Sequence, residues 1–164
     1  MKETLRYAWG MSSLGAFIAA SSDRGLVALE FAQRAVPVTS VFRSAYPAAE
    51  LVEDSTGMKG IVERAASLIE HPGAGPGMPV DMRGSAFERE VWSALQEIPS
   101  GRTLSYLELA CRLDGPGVAR KVGEACAANK IAVVIPCHRV VRKNGSISGY
   151  RWGIWRKRAL LERE

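Results

Sequence analysis

The sequence predicts an α/β protein in two parts: a small antiparallel β-sheet with a helix over residues 1–80, and a mainly helical part over residues 81–164. Three observations predict this. Two apolar runs, Gly15–Ala20 and Leu26–Phe31, flank Ser21-Ser22-Asp23-Arg24-Gly25, a turn-forming cluster with glycine at its end, and so read as a β-hairpin. The stretch His71-Pro72-Gly73-Ala74-Gly75-Pro76-Gly77-Met78-Pro79 cannot continue regular structure and reads as a linker. Beyond it, helix caps and helical spacing of apolar residues replace the strand signals. A length of 164 residues fits one large domain or two small ones.

In the first part, residues 32–55 have weak periodicity and receive no assignment. Met58, Ile61, Val62, Ala65, Leu68 and Ile69 recur at helical spacing, so a helix near 57–70 should pack on the hairpin sheet. His71 reads as a loop residue. In the second part, Ser85-Ala86-Phe87-Glu88 is a capping box, and Phe87, Val91, Leu95 and Ile98 mark one face of the helix it opens. Pro99-Ser100-Gly101-Arg102 turns the chain. Ser105-Tyr106-Leu107-Glu108 repeats the box and opens a short helix to about Leu113. Asp114-Gly115-Pro116-Gly117 is a tight turn, and Pro116 stands near the start of a helix running to about Ala128. Two short helices joined by a Gly-containing turn make a helix-turn-helix candidate. Ala119, Gly123, Ala125, Ala127 and Ala128 keep its second helix slim. That suits close approach to a nucleic-acid groove or, equally, close helix packing. Ile131–Ile135 is an apolar run of strand length, ended by Pro136, and reads as a short buried strand. Trp152 to Arg163 closes the chain as a helix, with Ile154, Leu160 and Leu161 facing inward.

The 47% hydrophobic and 24% charged content is that of an ordinary soluble globular chain. No apolar run reaches membrane length, and Glu3 and Arg6 break any signal-like N-terminus. Three cysteines without a Cys-x-x-Cys pair argue against a disulfide framework or a cysteine-rich zinc site, and point to a reducing compartment, the cytoplasm or the nucleus, with the cytoplasm the expectation for this chain. Charge is uneven. Residues 1–84 carry 8 Lys/Arg against 9 Asp/Glu, whereas residues 85–164 carry 14 against 8. From Arg139 to Arg158 there are seven basic residues and no acidic one. Such a stripe suits a polyanion, nucleic acid first, or is simply a solvated basic face.

Cys137, His138 and Arg139 follow Pro136 where a buried segment meets a loop. A cysteine with nearby His and Arg is placed to be a thiolate, the nucleophilic form. A half-buried, inert structural cysteine is the plainer alternative.

Ile135-Pro136-Cys137-His138-Arg139-Val140 resembles the active-site motif of the O6-alkylguanine-DNA alkyltransferases. The likeness covers residues 84–164 closely and the first half more loosely. Ala125-Cys126-Ala127-Ala128-Asn129-Lys130 and Ser148-Gly149-Tyr150-Arg151-Trp152-Gly153 are most similar to the C-terminal repair domain of the adaptive-response (Ada) branch. The resemblance implies a ribonuclease H-like first domain and a winged helix-turn-helix-like second domain carrying the active site. It implies binding of duplex DNA as a monomer, extrusion of the lesion base, and irreversible transfer of the alkyl group of O6-methylguanine, with O4-methylthymine a further candidate, to Cys137. A reactive carbon inside a stacked pair cannot be attacked in line, so extrusion makes physical sense. No cofactor and no metal are implied.

By position, the resemblance makes Cys137 the nucleophile and His138 the base that draws off its proton through a water. Glu164 becomes the carboxylate that orients His138, Tyr106 the hydroxyl donor to guanine N3, and Asn129 the brace between recognition helix and active-site strand. Arg120 would fill the space the base vacates, or else contact phosphate. The carbonyls of Cys137 and Val140 would read the guanine amine; Lys157, Tyr150 and Cys126 fall at the pocket. A last residue tends to fray, which is the expectation for Glu164. Arg151 and Trp152 stand where some members have Ser and Gly, so Trp152 is expected to narrow the pocket against benzyl-sized groups. Two other classes fit the residues. A lesion sensor or winged-helix regulator would do without the Cys137 thiol, and a cysteine hydrolase would turn over without DNA.

Overall fold

The computed structural model of the chain describes residues 2–33, 37–75 and 77–164. The first half is a four-stranded sheet of order β3-β2-β1-β4, built from β1 (Glu3–Ser12), β2 (Gly15–Ser21), β3 (Leu26–Phe31) and β4 (Ala49–Glu53). The hairpin read from the sequence is β2–β3. The sheet is mixed rather than antiparallel, because β4 lies parallel to β1. Helix α1 (Val38–Ala45) is the reason: it carries the chain from β3 across the sheet to the far edge, and such a crossover returns the next strand in the same direction.

Both faces of the sheet are covered, so its centre has no alternation to read. Along β2, Phe17 and Ala19 face the main core, whereas Ile18 and Ala20 face a smaller one with Leu5, Val27, Phe42 and Tyr46 under α1. Helix α2 (Lys59–Glu70) packs on the main-core face, close to the helix the spacing predicts. Gly10 of β1 is obligatory there, since any Cβ would collide with the Phe17 ring. Strand β1 escaped the sequence reading because Arg6 and Gly10 leave only the short apolar run Tyr7–Trp9 at its centre.

The second half comprises α3 (Ala86–Gln96), α4 (Tyr106–Arg112), α5 (Ala119–Ala127) and α6 (Ile154–Glu162), with a two-residue parallel pairing of β5 (Leu104–Ser105) and β6 (Val140–Val141). Both capping boxes are made: Ser85 with Glu88 opens α3, and Ser105 with Glu108 opens α4. Val91, Leu95 and Ile98 are buried as their spacing predicts. In α6 the prediction fails for Ile154, which is 46% exposed; Lys157 and Leu160 are the residues that turn inward. Among the described residues no helix is long and apolar enough to cross a membrane.

The halves share one core, in which Phe17, Leu29 and Ile69 meet Val91, Leu95 and Ile135. The outer edge of β3 adds backbone ties. Leu26 donates to the Pro79 carbonyl at 3.0 Å and accepts from Asp81 at 2.7 Å, while Leu29 donates to the Lys130 carbonyl and accepts from Ala132, both at 2.9 Å. The edge that could have templated another strand instead holds the segment leading to Cys137.

That segment is not the strand the apolar run predicts. Only Ile131 makes a bridge, to Leu29, and the chain then turns. Val134 donates to the Ala132 carbonyl at 2.7 Å, and Ile135 to that of Ile131 at 3.2 Å. Val133 sits at φ 68°, a left-handed conformation that a β-branched residue adopts only when its surroundings impose it. Asn129 imposes it. Its buried side chain accepts from the Ile131 N–H at 2.9 Å and donates to the carbonyls of Ile131 at 3.3 Å and Ile135 at 3.0 Å. Asn129→Ala strands these buried groups and should cost about 2–4 kcal/mol. Urea unfolding checks this; a loss below about 0.5 kcal/mol would mean that packing alone sets the turn.

Candidate active site

Pro136 ends the turn, and Cys137, His138 and Arg139 form one buried 3-10 turn behind it. Cys137 is 6% exposed, and that remnant opens onto a cavity of about 360 Å³. Tyr106 of α4, Cys126 of α5, Tyr150 and Arg151 form its walls, and Gly123, Ala127 and Gly149 leave it open. The small residues of α5 therefore serve both alternatives: Val122, Ala125 and Cys126 pack inward, while Gly123 and Ala127 make space.

Behind Cys137 lies a buried charged cluster. Glu164 does not fray; its side chain is 1% exposed. Its Oε1 lies 3.0 Å from His138 Nε2, and Arg139 donates to it from Nε at 3.0 Å and from Nη2 at 2.7 Å. Arg139 Nη1 donates to the Ile98 carbonyl at 2.7 Å, which ties the cluster to the end of α3. Burial would raise the Glu164 carboxyl, but the hydrogen bonds from His138 and Arg139 and the charge of Arg139 outweigh it and hold it at about 2. An ionised carboxylate only accepts, so His138 Nε2 must carry the proton. Burial, opposed by Glu164, pushes the His138 imidazole below its ordinary value, so the ring is neutral and Nδ1 is bare. That Nδ1 is buried and has no hydrogen-bond partner among the described residues. An unpaired basic nitrogen next to a cysteine is a proton acceptor in waiting.

The thiolate expected from the neighbouring charges is not what the site holds. Burial pushes the Cys137 thiol up. The Asn129 amide, 3.3 Å from Sγ, and the positive charges of Lys157 and Arg151 only partly offset this. The adjacent His138 is neutral, and Arg139 spends its charge on Glu164. Cys137 rests as a thiol.

The remaining residues singled out in the sequence fall into three layers. Tyr106, Cys126, Tyr150 and Arg151 line the cavity. Asn129, Lys157, Val140 and Trp152 stand behind it. Lys157 is fully buried, and Val140 is buried where it pairs with Leu104. Trp152 packs edge-on against Tyr150 at 5.2 Å and against Phe31 at 6.5 Å, so any narrowing of the cavity acts through Tyr150. Arg120 is apart from all of these, 93% exposed on the first turn of α5 and loosely paired with Glu124 at 3.8 Å. Arg151 is tied to Glu30 of β3 at 3.0 Å across the seam between the halves. Two residues that matter here escaped the sequence reading. Arg139 was read only as nearby charge, since no spacing reveals that residue 164 returns to it. Ser148, which touches Tyr106, lies in a loop without periodicity. Among the described residues no group of three His, Cys, Asp or Glu side chains is placed to hold a metal ion.

Residues 86–164 match the family model described as the DNA-binding domain of 6-O-methylguanine DNA methyltransferase. The inducible methylated-DNA–protein-cysteine methyltransferase of Bacillus subtilis is 36% identical over 166 residues, covering 99% of this chain and 92% of that protein. The chain belongs to the O6-methylguanine DNA methyltransferase family. The bifunctional transcriptional activator and DNA repair enzyme Ada of Escherichia coli is 40% identical over 160 residues, and this chain spans 45% of its length. The crystal structure of the Mycobacterium tuberculosis methyltransferase OGT in complex with DNA superposes with a TM-score of 0.76 at 33% identity, covering 97% of this chain and 91% of that one. The methyltransferase fold, a β-sheet half followed by a helical half, is thus shared over nearly the whole chain.

Glu164→Gln removes the charge that compensates buried Arg139 and should cost about 3 kcal/mol near neutral pH. The wild-type carboxyl titrates at about 2 in the folded chain against an ordinary 4.5. Its contribution is therefore complete above 4.5 and is lost as pH falls from 4.5 towards about 2. The stability gap between wild type and Glu164→Gln, followed by chemical unfolding, should close across that window. A gap that is constant with pH would show that the carboxylate charge contributes nothing.

Proposed function

We propose that this chain repairs O6-alkylguanine in duplex DNA, chiefly O6-methylguanine and in some measure O4-methylthymine, by moving the alkyl group irreversibly onto Cys137. The observation that carries this is the Cys137 thiol flooring a small cavity beside a slim helix, followed in the chain by a histidine whose buried Nδ1 has no partner among the described residues. A cysteine hydrolase would need turnover, and a sensor would not need a base poised beside its cysteine.

On this reading residues 1–80 form a ribonuclease H-like domain and residues 81–164 a winged helix-turn-helix domain, in which α4 and α5 present the slim helix to the minor groove. The basic second half draws in the polyanion. Exposed Arg120 enters the stack as the guanine swings out into the cavity. Tyr150, with Trp152 behind it, forms the wall against which the alkyl group lies. The carbonyls of Cys137 and Val140 accept from the guanine amine. The Cys137 proton passes to His138 Nδ1 through a water, and Glu164 stabilises the imidazolium that results. The sulfur then attacks the methyl carbon. The S–C bond forms, the C–O6 bond breaks, and its electron pair returns to guanine, which Tyr106 meets at N3 with a hydrogen bond. The product is a thioether, and among the described residues no group is placed to cleave it, so the protein acts once; on the same reading it works in the cytoplasm as a monomer without a cofactor.

Mass spectrometry after mixing with duplex containing O6-methylguanine should find one methyl group per protein, on the Cys137 peptide, and none in Cys137→Ala. Lesion binding without methylation of the wild type would instead favour a sensor.

A further inference from the structure

Lys157 projects from α6 into the interior, and among the described residues it has no carboxylate partner. Among the described residues its hydrogen bond goes to Ser148 Oγ, at 3.1 Å. Ser148 is buried, and its Oγ lies 2.6 Å from the Tyr106 hydroxyl. The three groups form one chain that ends at the cavity wall.

The direction of that chain follows from donor and acceptor counting. An ammonium has three donors and no acceptor, so Ser148 must accept from Lys157. A serine hydroxyl has one proton to give. If Tyr106 also donated to Ser148, the buried Ser148 proton would have no acceptor, which is costly. Ser148 therefore donates to the Tyr106 oxygen. Tyr106 then cannot spend its own proton on Ser148 and must turn it into the cavity that its ring lines. Each bond in such a chain polarises the next, so the charge at Lys157 also strengthens Tyr106 as a donor.

We propose that Ser148 is a positioning residue: anchored by Lys157, it fixes the Tyr106 hydroxyl as a donor aimed at the ring-nitrogen acceptor of the extruded base. This rests on the guanine-repair reading above. It assigns Ser148 a role distinct from that of a wall residue, and it gives buried Lys157 a reason to be buried. The hydroxyl is oriented before the base arrives, so no reorganisation is needed as charge develops on the departing guanine.

The test uses two duplexes, one with O6-methylguanine and one with O6-methyl-3-deazaguanine, in which a CH replaces N3. Single-turnover transfer is followed at saturating DNA, so that binding is separated from chemistry. Wild type should be about tenfold slower on the analogue, the scale of one lost directed hydrogen bond. Ser148→Ala should lose about tenfold on O6-methylguanine and no more than about twofold on the analogue, while Ser148→Thr restores most of the rate. Because the comparison is made between two substrates of one variant, partial destabilisation cancels. Equal slowing on both substrates, or no slowing on O6-methylguanine, overturns the role of Ser148 and leaves the repair reading standing. A wild type that transfers no methyl group overturns the repair reading, and this inference with it.

Discussion

One buried carboxylate organises both the fold and the site. Taking the Glu164 charge out of water costs several kcal/mol, and only a partner of matching geometry offsets that. Arg139 supplies it from two nitrogens of its guanidinium, and His138 supplies another donor. The same Arg139 holds the Ile98 carbonyl. The end of α6, the end of α3 and the catalytic turn are thereby joined at one point. Because the carboxylate is ionised and can only accept, it also dictates which nitrogen of His138 carries the proton. The same few bonds that stabilise the fold also fix the tautomer of His138.

The other side of the cavity is organised by a donor. Lys157 sets the polarity of Ser148 and Tyr106 much as Glu164 sets that of His138. Between them lies a cysteine that burial keeps neutral. This division suits the proposed reaction, in which the nucleophile is consumed once. An exposed thiolate would be spent on any passing electrophile. A sheltered thiol with an unpaired base beside it reacts only when a substrate completes the site. The positive charge of the second half lies largely on the outside, at Arg120 and along the stretch after Arg139, and does not ionise the sulfur.

Local signals were legible where local physics decides. Two capping boxes, the hairpin and the α2 spacing each depend on residues within a few positions of one another. Elements decided by distant partners were not. Strand β1 has only a short apolar run, Tyr7–Trp9, and β4 becomes a strand only because α1 delivers it to β1. The run Ile131–Ile135 has strand composition but meets only Leu29 of a strand edge, and Asn129 bends it away. The Cys137–His138 pair was visible because the two are adjacent, and its resemblance to a family motif supplied the roles. The thiol's protonation state was not visible. Sequence shows that Arg139 is close to Cys137 but not that a carboxylate 25 positions away claims its charge. Lys157 sits in a basic stripe that looks solvated, yet its helix turns it inward.

The central claim is that the resting site is neutral, a thiol beside a neutral imidazole whose Nε2 proton is held by Glu164. The chain contains only two histidines, so nitrogen NMR of the labelled protein can assign the His138 ring directly. Near neutral pH the account predicts a protonated Nε2 and a bare Nδ1, with the same spectrum in Cys137→Ala. An imidazolium ring that becomes neutral when the cysteine is removed would contradict it, and would mean that Cys137 already stands as a thiolate before any DNA arrives.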